Sequence, residues 1–172
     1  MKKNKFSKNW IIKQKRDIYV KKSKLEGYRS RAVYKLQEIN DKFKIIKNNI
    51  LIVDLGAAPG SWSQYISRNF KNSKIISIDL KDIEPIKNVT HIIGDFTDEN
   101  EKLRIQNYFR KKVDLIISDM AVNTTGNKSV DSLVTGELCI EAMSFANDHL
   151  NKKGSFISKL FMGSSFNEIV AL

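Results

Sequence analysis

With 172 residues, 41% of them hydrophobic, the chain can bury the core of one globular domain. Its single cysteine, Cys139, excludes an internal disulfide and a multi-cysteine zinc site, and reads as a reduced, buried thiol. The basic start lacks the apolar run of a secretory signal, and no stretch approaches the ~18 apolar residues of a membrane span, so a cytoplasmic protein with no membrane partner is expected.

The net charge of +11 is unevenly distributed. Residues 1–49 hold 16 Lys/Arg against 4 Asp/Glu, whereas residues 50–172 hold 14 against 15. Compositional bias alone would spread the excess evenly. Its concentration upstream of the first sheet strand points to a polyanionic partner, nucleic acid, at the N-terminal face.

Residues 1–9 read as a disordered polycationic tail. Apolar residues between 10 and 24 give a weak helical signal that Gly27 breaks. Ser30 is placed to cap a clearer helix over 31–42, where Ala32, Val33, Leu36, Ile39 and Phe43 form one apolar stripe and Lys35 lies off it. Next, Ile50-Leu51-Ile52-Val53-Asp54-Leu55 reads as a buried strand, Gly56 and Gly60 bracket a tight loop, and Ser61 is placed to cap a helix carrying Trp62, Tyr65 and Ile66. Strands are expected at 74–79, 89–93, 113–118 and 155–161, the last introduced by a turn at Lys152-Lys153-Gly154. Helices are expected at 100–112 and 132–150, and Pro85 makes a loop of the 79–89 connection. Short apolar strands alternating with helices predict an α/β fold with a mostly parallel, doubly wound sheet.

Asp54, Asp79, Asp95 and Asp119 each fall at or just past the carboxyl end of a successive strand, where open α/β sheets bind ligands. Any one of them could cap a helix; four in succession beside a glycine loop suit a ligand. The loop Gly56-Ala57-Ala58-Pro59-Gly60 lacks the middle glycine of a dinucleotide fingerprint and the Lys-Ser/Thr pair of a phosphate loop. NAD and nucleoside triphosphates are therefore disfavoured, although Asp79 has the spacing of a ribose-binding acid. S-adenosylmethionine fits better, because it has no phosphate and its sulfonium is positive. His91 and His149 have no metal-ligand company, so no metal is expected, and Asn123-Thr124-Thr125 is discounted as a glycosylation acceptor in a cytosolic chain.

Residues 53–65 closely resemble the first motif of the FtsJ/RrmJ (RlmE) ribosomal RNA 2′-O-methyltransferases. Ser30-Arg31-Ala32-Val33-Tyr34-Lys35-Leu36, Gly94-Asp95-Phe96, Ser118-Asp119-Met120-Ala121 and Gly154-Ser155-Phe156 resemble further motifs, in the family's order and spacing. The resemblance implies a Rossmann-like fold and S-adenosylmethionine-dependent methylation of a ribose 2′-hydroxyl, of a uridine in 23S ribosomal RNA of the large subunit. It divides the chain into a basic RNA-binding extension, 1–29, and a methyltransferase domain, 30–172, acting as a monomer. Gly60 and Trp62 are then in the cofactor loop, Asp79 on the cofactor ribose, Asp95 near the adenine and Asp119 near the methionine end. Lys159 is the matched base for the weakly nucleophilic hydroxyl, Lys35 the second cation and Asp119 the group that orients the amine. A lysine serves as base only if burial or a second cation lowers its pKa. Trp10, among lysines, could stack on a base or pack on the domain.

The chain departs from the family at Ser61, usually glycine, at Val122, usually proline, at Val33-Tyr34, usually an aromatic pair, and at Met162, usually polar. Family members continue for roughly another 35 residues, through two closing strands and a glutamate that completes the active-site group; Glu168 matches an ordinary helix position instead. The sequence thus reads as C-terminally shortened, with the strand holding Lys159 expected at an exposed edge. The alternative functions are an inactive RNA- or ribosome-binding relative and a transfer RNA 2′-O-methyltransferase, with an NAD-linked oxidoreductase third.

Overall fold

A computed structural model describes residues 18–120 and 127–160, with Phe166, Ile169 and Ala171. The expected tail at 1–9, Trp10, the Asn123 acceptor, Val122, Met162 and Glu168 lie outside the described residues. The elements are α1 (Ile18–Leu25), α2 (Val33–Phe43), β1 (Leu51–Leu55), α3 (Ser61–Asn69), β2 (Lys74–Asp79), β3 (Val89–Ile93), α4 (Glu99–Phe109), β4 (Val113–Ser118), α5 (Lys128–His149) and β5 (Leu150–Ser158).

The five strands form one sheet in the order β3-β2-β1-β4-β5, every pair parallel. The central strands β1, β2 and β4 are short apolar runs because both faces of the sheet are covered there. On one face Val53, Ile76 and Ile116 pack with Ile105 and Phe109 of α4 and Ala142 and Phe145 of α5. On the other, Ile52, Ile75 and Leu115 pack with Val33 and Leu36 of α2 and Trp62 and Ile66 of α3. Burying each of these large side chains contributes about 1.5–3 kcal/mol. The chain leaves β1 toward β2 and β3, then returns to place β4 on the other side of β1. Between the carboxyl ends of β1 and β4 lies the crevice in which such sheets bind ligands.

Local chemistry moved several expected boundaries. Ser61 does not cap α3: Gly60 is the cap, and the buried Ser61 hydroxyl donates to Ser30 Oγ at 2.8 Å. Helix α2 begins at Val33, later than expected, because Ser30 Oγ accepts the Ala32 N–H in the preceding turn. Asp98 caps α4 by accepting the Asn100 N–H at 2.7 Å, and Arg110 in a left-handed conformation ends it before residue 112.

The largest revision concerns β5. The expected turn Lys152-Lys153-Gly154 is instead inside the strand, which starts at Leu150. Leu150 pairs with Val113 and Ser155 with Leu115, so β5 bulges outward against β4. Asp114 pins the bulge, accepting from Asn151 Nδ2 at 2.6 Å and from the Leu51 N–H at 2.8 Å. A Cβ on Gly154 would come within 2.8 Å of Leu150 Cδ2.

Residues 18–29 pack on the sheet domain. Tyr19 and Tyr28 contact the ring of Tyr34, and Arg68 stacks on Tyr28 while donating to the carbonyls of Glu26 and Gly27. Cys139 is buried. His91 is bonded to Ser77 Oγ and the Lys81 carbonyl, and His149 to the Phe145 carbonyl at the end of α5.

Candidate active site

The loop after β1 is built on the carboxyl ends of β1 and β2. Gly56 and Ala57 donate their N–H groups to the Ile78 carbonyl at 2.9 and 3.1 Å. Gly56 and Gly60 have φ of 66° and 94°, which side chains resist. A Cβ on Gly56 would strike the Met120 side chain, and one on Gly60 would lie 3.0 Å from Arg29 Nη1. The two glycines therefore let the Met120, Arg29 and Ile86 side chains pack directly against the loop backbone.

Asp79, the last residue of β2, holds this loop from the neighbouring strand. Its carboxylate accepts the Ala58 N–H from the loop and the Lys81 N–H, both at 2.9 Å. Each oxygen keeps a further lone pair for a ligand hydroxyl. Asp95, exposed after β3, accepts from the Thr97 N–H and hydroxyl. Trp62 is buried, and its indole N–H donates to the Ala32 carbonyl at 2.9 Å. Its side chain thus ties the loop's helix to α2 from within the core.

Asp54, at the end of β1, is buried and accepts from the Ser63 hydroxyl at 2.7 Å and from the Ser63 N–H at 3.2 Å. Burial pushes its carboxyl up from 3.8 to about 7, against the lowering effect of the Ser63 bonds. The folded state therefore binds a proton that the unfolded chain has lost, and this group's contribution to stability falls as pH rises from about 4 to 7. Asp54→Asn keeps an oxygen for Ser63 and removes the ionisation. Denaturant melts across that range should show the variant gaining on the parent with rising pH, by at most about 4 kcal/mol. A constant difference would refute a buried titration at Asp54.

Across the crevice, Lys159 follows β5 and Asp119 follows β4. The Lys159 Nζ lies 2.9 Å from Asp119 Oδ1 and 3.1 Å from the Asp119 carbonyl oxygen, which accepts from it. The Lys159 N–H also donates to the Ser118 carbonyl at 2.9 Å, which fixes the backbone from which the side chain departs. Both side chains are about four-fifths buried. They line a cavity of about 700 Å³ together with Tyr19, Arg31, Lys35 and Glu38. Residues 35, 119 and 159, far apart in the chain, thus share one cavity. Lys35 is exposed on its α2 wall.

Residues 28–172 match the family model described as FtsJ-like methyltransferase. The chain belongs to the FtsJ-like methyltransferase family. Over all 172 residues it is 60% identical to the ribosomal RNA large subunit methyltransferase E of Pelagibacter ubique (strain HTCC1062), covering 85% of that protein. It is 48% identical over 170 residues to the protein of the same name from Rickettsia akari (strain Hartford), covering 95% of this chain and 75% of that one. Among solved structures, a ribosomal RNA methyltransferase from Plasmodium falciparum aligns with a TM-score of 0.76 at 38% identity, over 84% of each chain. The MycE methyltransferase of the mycinamycin pathway, at 14% identity and a TM-score of 0.53, covers 81% of this chain and 35% of its own and shares the fold alone. Family and fold agree with the motifs, and the cofactor of this family is S-adenosylmethionine.

Arg29 lies outside every one of those motifs. Its guanidinium donates to the Pro59 carbonyl at 2.9 Å and the Glu84 carbonyl at 2.6 Å, and its N–H donates to Gln64 Oε1 at 3.1 Å. It thereby clamps the glycine loop to the loop after β2. Among the described residues, no group of three or more His, Cys, Asp or Glu could hold a metal, and no helix is long and apolar enough to cross a membrane.

Proposed function

We propose that this chain transfers the methyl group of S-adenosylmethionine to the 2′-hydroxyl of a uridine in 23S ribosomal RNA of the large subunit. The observation that carries this reading is the Lys159–Asp119 pair, facing a cavity shared with Lys35 beside a glycine loop. The relatives' name, ribosomal RNA large subunit methyltransferase E, supplies the acceptor.

The residues present fit the cofactor. Asp79 keeps a lone pair on each oxygen that would accept ribose hydroxyls, the exposed Asp95 would border the adenine end, and no phosphate-binding lysine enters the loop. Gly60 shapes the loop directly; Trp62 holds it through Ala32. When bound, the cofactor supplies an electrophilic methyl on a sulfonium that leaves as a neutral thioether.

The protein's own part is to position and deprotonate the acceptor. The cavity would hold the acceptor ribose with its 2′-hydroxyl turned toward the Lys159–Asp119 pair. Lys159 Nζ would take the hydroxyl proton that the acceptor gives up as it is methylated. Asp119 fixes that amine in place, and Lys35 places a second cation on the wall of the same cavity. The basic N-terminal region holds the RNA: Lys24, Arg29 and Arg31 already line the cavity, and Tyr19 offers an aromatic face. A monomer suffices for every one of these roles.

The test is transfer of radiolabelled methyl to large subunits that lack the modification, followed by nuclease digestion and nucleoside mass analysis. Label on the ribose of a 23S uridine is expected. Label on a base, label confined to transfer RNA, or cofactor binding without transfer would each overturn the reading.

A further inference from the structure

The near-neutral charge of residues 50–172 conceals a separation that only the fold shows. In a parallel sheet all strands point the same way, so residues that follow strands gather at one pole and residues that precede strands gather at the other. Acids lie at or just past the strands' carboxyl ends: Asp54, Asp79, Asp95 and Asp119. Cations precede them. Lys71 and Lys74 lead into β2, and Arg110, Lys111 and Lys112 lead into β4, while Lys152 and Lys153 ride on the bulge at the start of β5. Lys44 and Lys47, just before β1, join them. All nine are exposed.

Two hollows open at this amino pole, on either side of the β4–β5 start. One, of about 560 Å³, is lined by Lys44, Lys47, Lys152 and Lys153, with Phe43 at its edge and Asp114 among its lining residues. The other, of about 570 Å³, is lined by Arg110, Lys111 and Lys112, with Asp148 and His149. Two of the acids here are already engaged. Asp114 holds the bulge through Asn151 and the Leu51 N–H, and Asp41 pairs with Lys44 at 4.0 Å on an open surface. Cations at helix C-termini complement the helix dipole, which accounts for Lys44 and Arg110. It does not account for Lys47, Lys152 and Lys153, which lie outside any helix. The bulge, pinned by Asp114 and made possible by Gly154, places the last two beside Lys44 and Lys47.

We propose that this lysine pole is a second RNA-binding surface, which grips the phosphate backbone of a segment other than the one in the catalytic cavity. The proposal rests on the ribosomal RNA reading given above. The six residues of β4 span about 20 Å between the pole and the Lys159–Asp119 pair. The two surfaces therefore hold different parts of a folded RNA. Phosphate contacts of this kind fix orientation without reading sequence, and they add affinity that salt removes.

The test replaces Lys44, Lys47, Lys152 and Lys153 with glutamine, with a matching lysine-to-arginine variant that retains the charge. Binding to protein-free 23S RNA is measured between 50 and 200 mM KCl, and methyl transfer to large subunits is measured alongside. Each phosphate that the protein no longer neutralises lowers the slope of log affinity against log salt by about 0.7–0.9, so the glutamine variant should lose about 3. Its KM for RNA should rise roughly tenfold or more at unchanged kcat, and the arginine variant should match the parent. A slope within one unit of the parent's overturns the proposal, as does a glutamine variant impaired on whole subunits but not on protein-free RNA, which would assign the pole to a ribosomal protein. Absence of methyl transfer by the parent would instead remove the function reading, because the salt slope is measured without turnover.

Discussion

Lys159→Ala is expected to lower kcat for methyl transfer by roughly 10²–10⁴-fold, the usual worth of a positioned proton acceptor. Cofactor binding should be unchanged, because Asp79 and the glycine loop lie on the other side of the crevice from the lysine. The substitution leaves Asp119, about four-fifths buried, without the amine at 2.9 Å, so some stability is lost as well. Two measurements separate that effect from chemistry. Titration with S-adenosylhomocysteine reports whether the cofactor half is intact. The split between kcat and KM reports the chemistry: kcat should fall while KM for RNA stays near the parent's. A kcat within threefold of the parent would remove Lys159 from the proton-transfer step and leave it as a partner of Asp119.

Strands β2, β3 and β4 were legible residue by residue: two-sided burial makes β2 and β4 nearly continuous apolar runs, and β3, at the sheet edge, is a short β-branched run. The start of β5 was not. Lys152-Lys153-Gly154 has the composition of a turn, and only the Asp114 side chain, contributed by the neighbouring strand, shows why the chain bulges there and stays paired. Ser61 misled for a related reason. Serine before a helix usually caps it, but here its hydroxyl is drawn to Ser30, 31 residues earlier.

The site divides in the same way. Periodicity places Lys35 on a helix surface, and by itself that marks a solvated residue; motif order links it to Asp119 and Lys159, and the fold places all three on one cavity. Arg29 left no sequence signal, because an arginine that donates to main-chain carbonyls needs no particular residue at the other end. The lysine pole was hidden by summation. Along the chain, acids after strands alternate with cations before strands, so any window long enough to average over a βα unit reads near zero.

Asp79→Ala is expected to weaken S-adenosylmethionine by about 10²–10³-fold. Hydrogen bonds to a charged acceptor are worth about 1.5–3 kcal/mol each, and two ribose hydroxyls facing one carboxylate reach that range. A second loss would accompany it, because the same carboxylate holds the Ala58 N–H and so the shape of the glycine loop. The two contributions separate in a double-mutant cycle using S-adenosylhomocysteine and its 2′,3′-dideoxy analogue. The parent should prefer the natural ligand strongly, and the alanine variant should bind both alike, with whatever affinity the distorted loop retains. The loop contribution is then the loss of affinity for the analogue, which has no hydroxyl to offer. Asp79→Asn should not rescue: its single carbonyl oxygen can serve the loop or the ribose, while its amide presents N–H to the Lys81 or Ala58 N–H that the carboxylate accepts. If the alanine variant still discriminates fully between the two ligands, the ribose is held elsewhere, and Asp79 acts on the cofactor only through the loop.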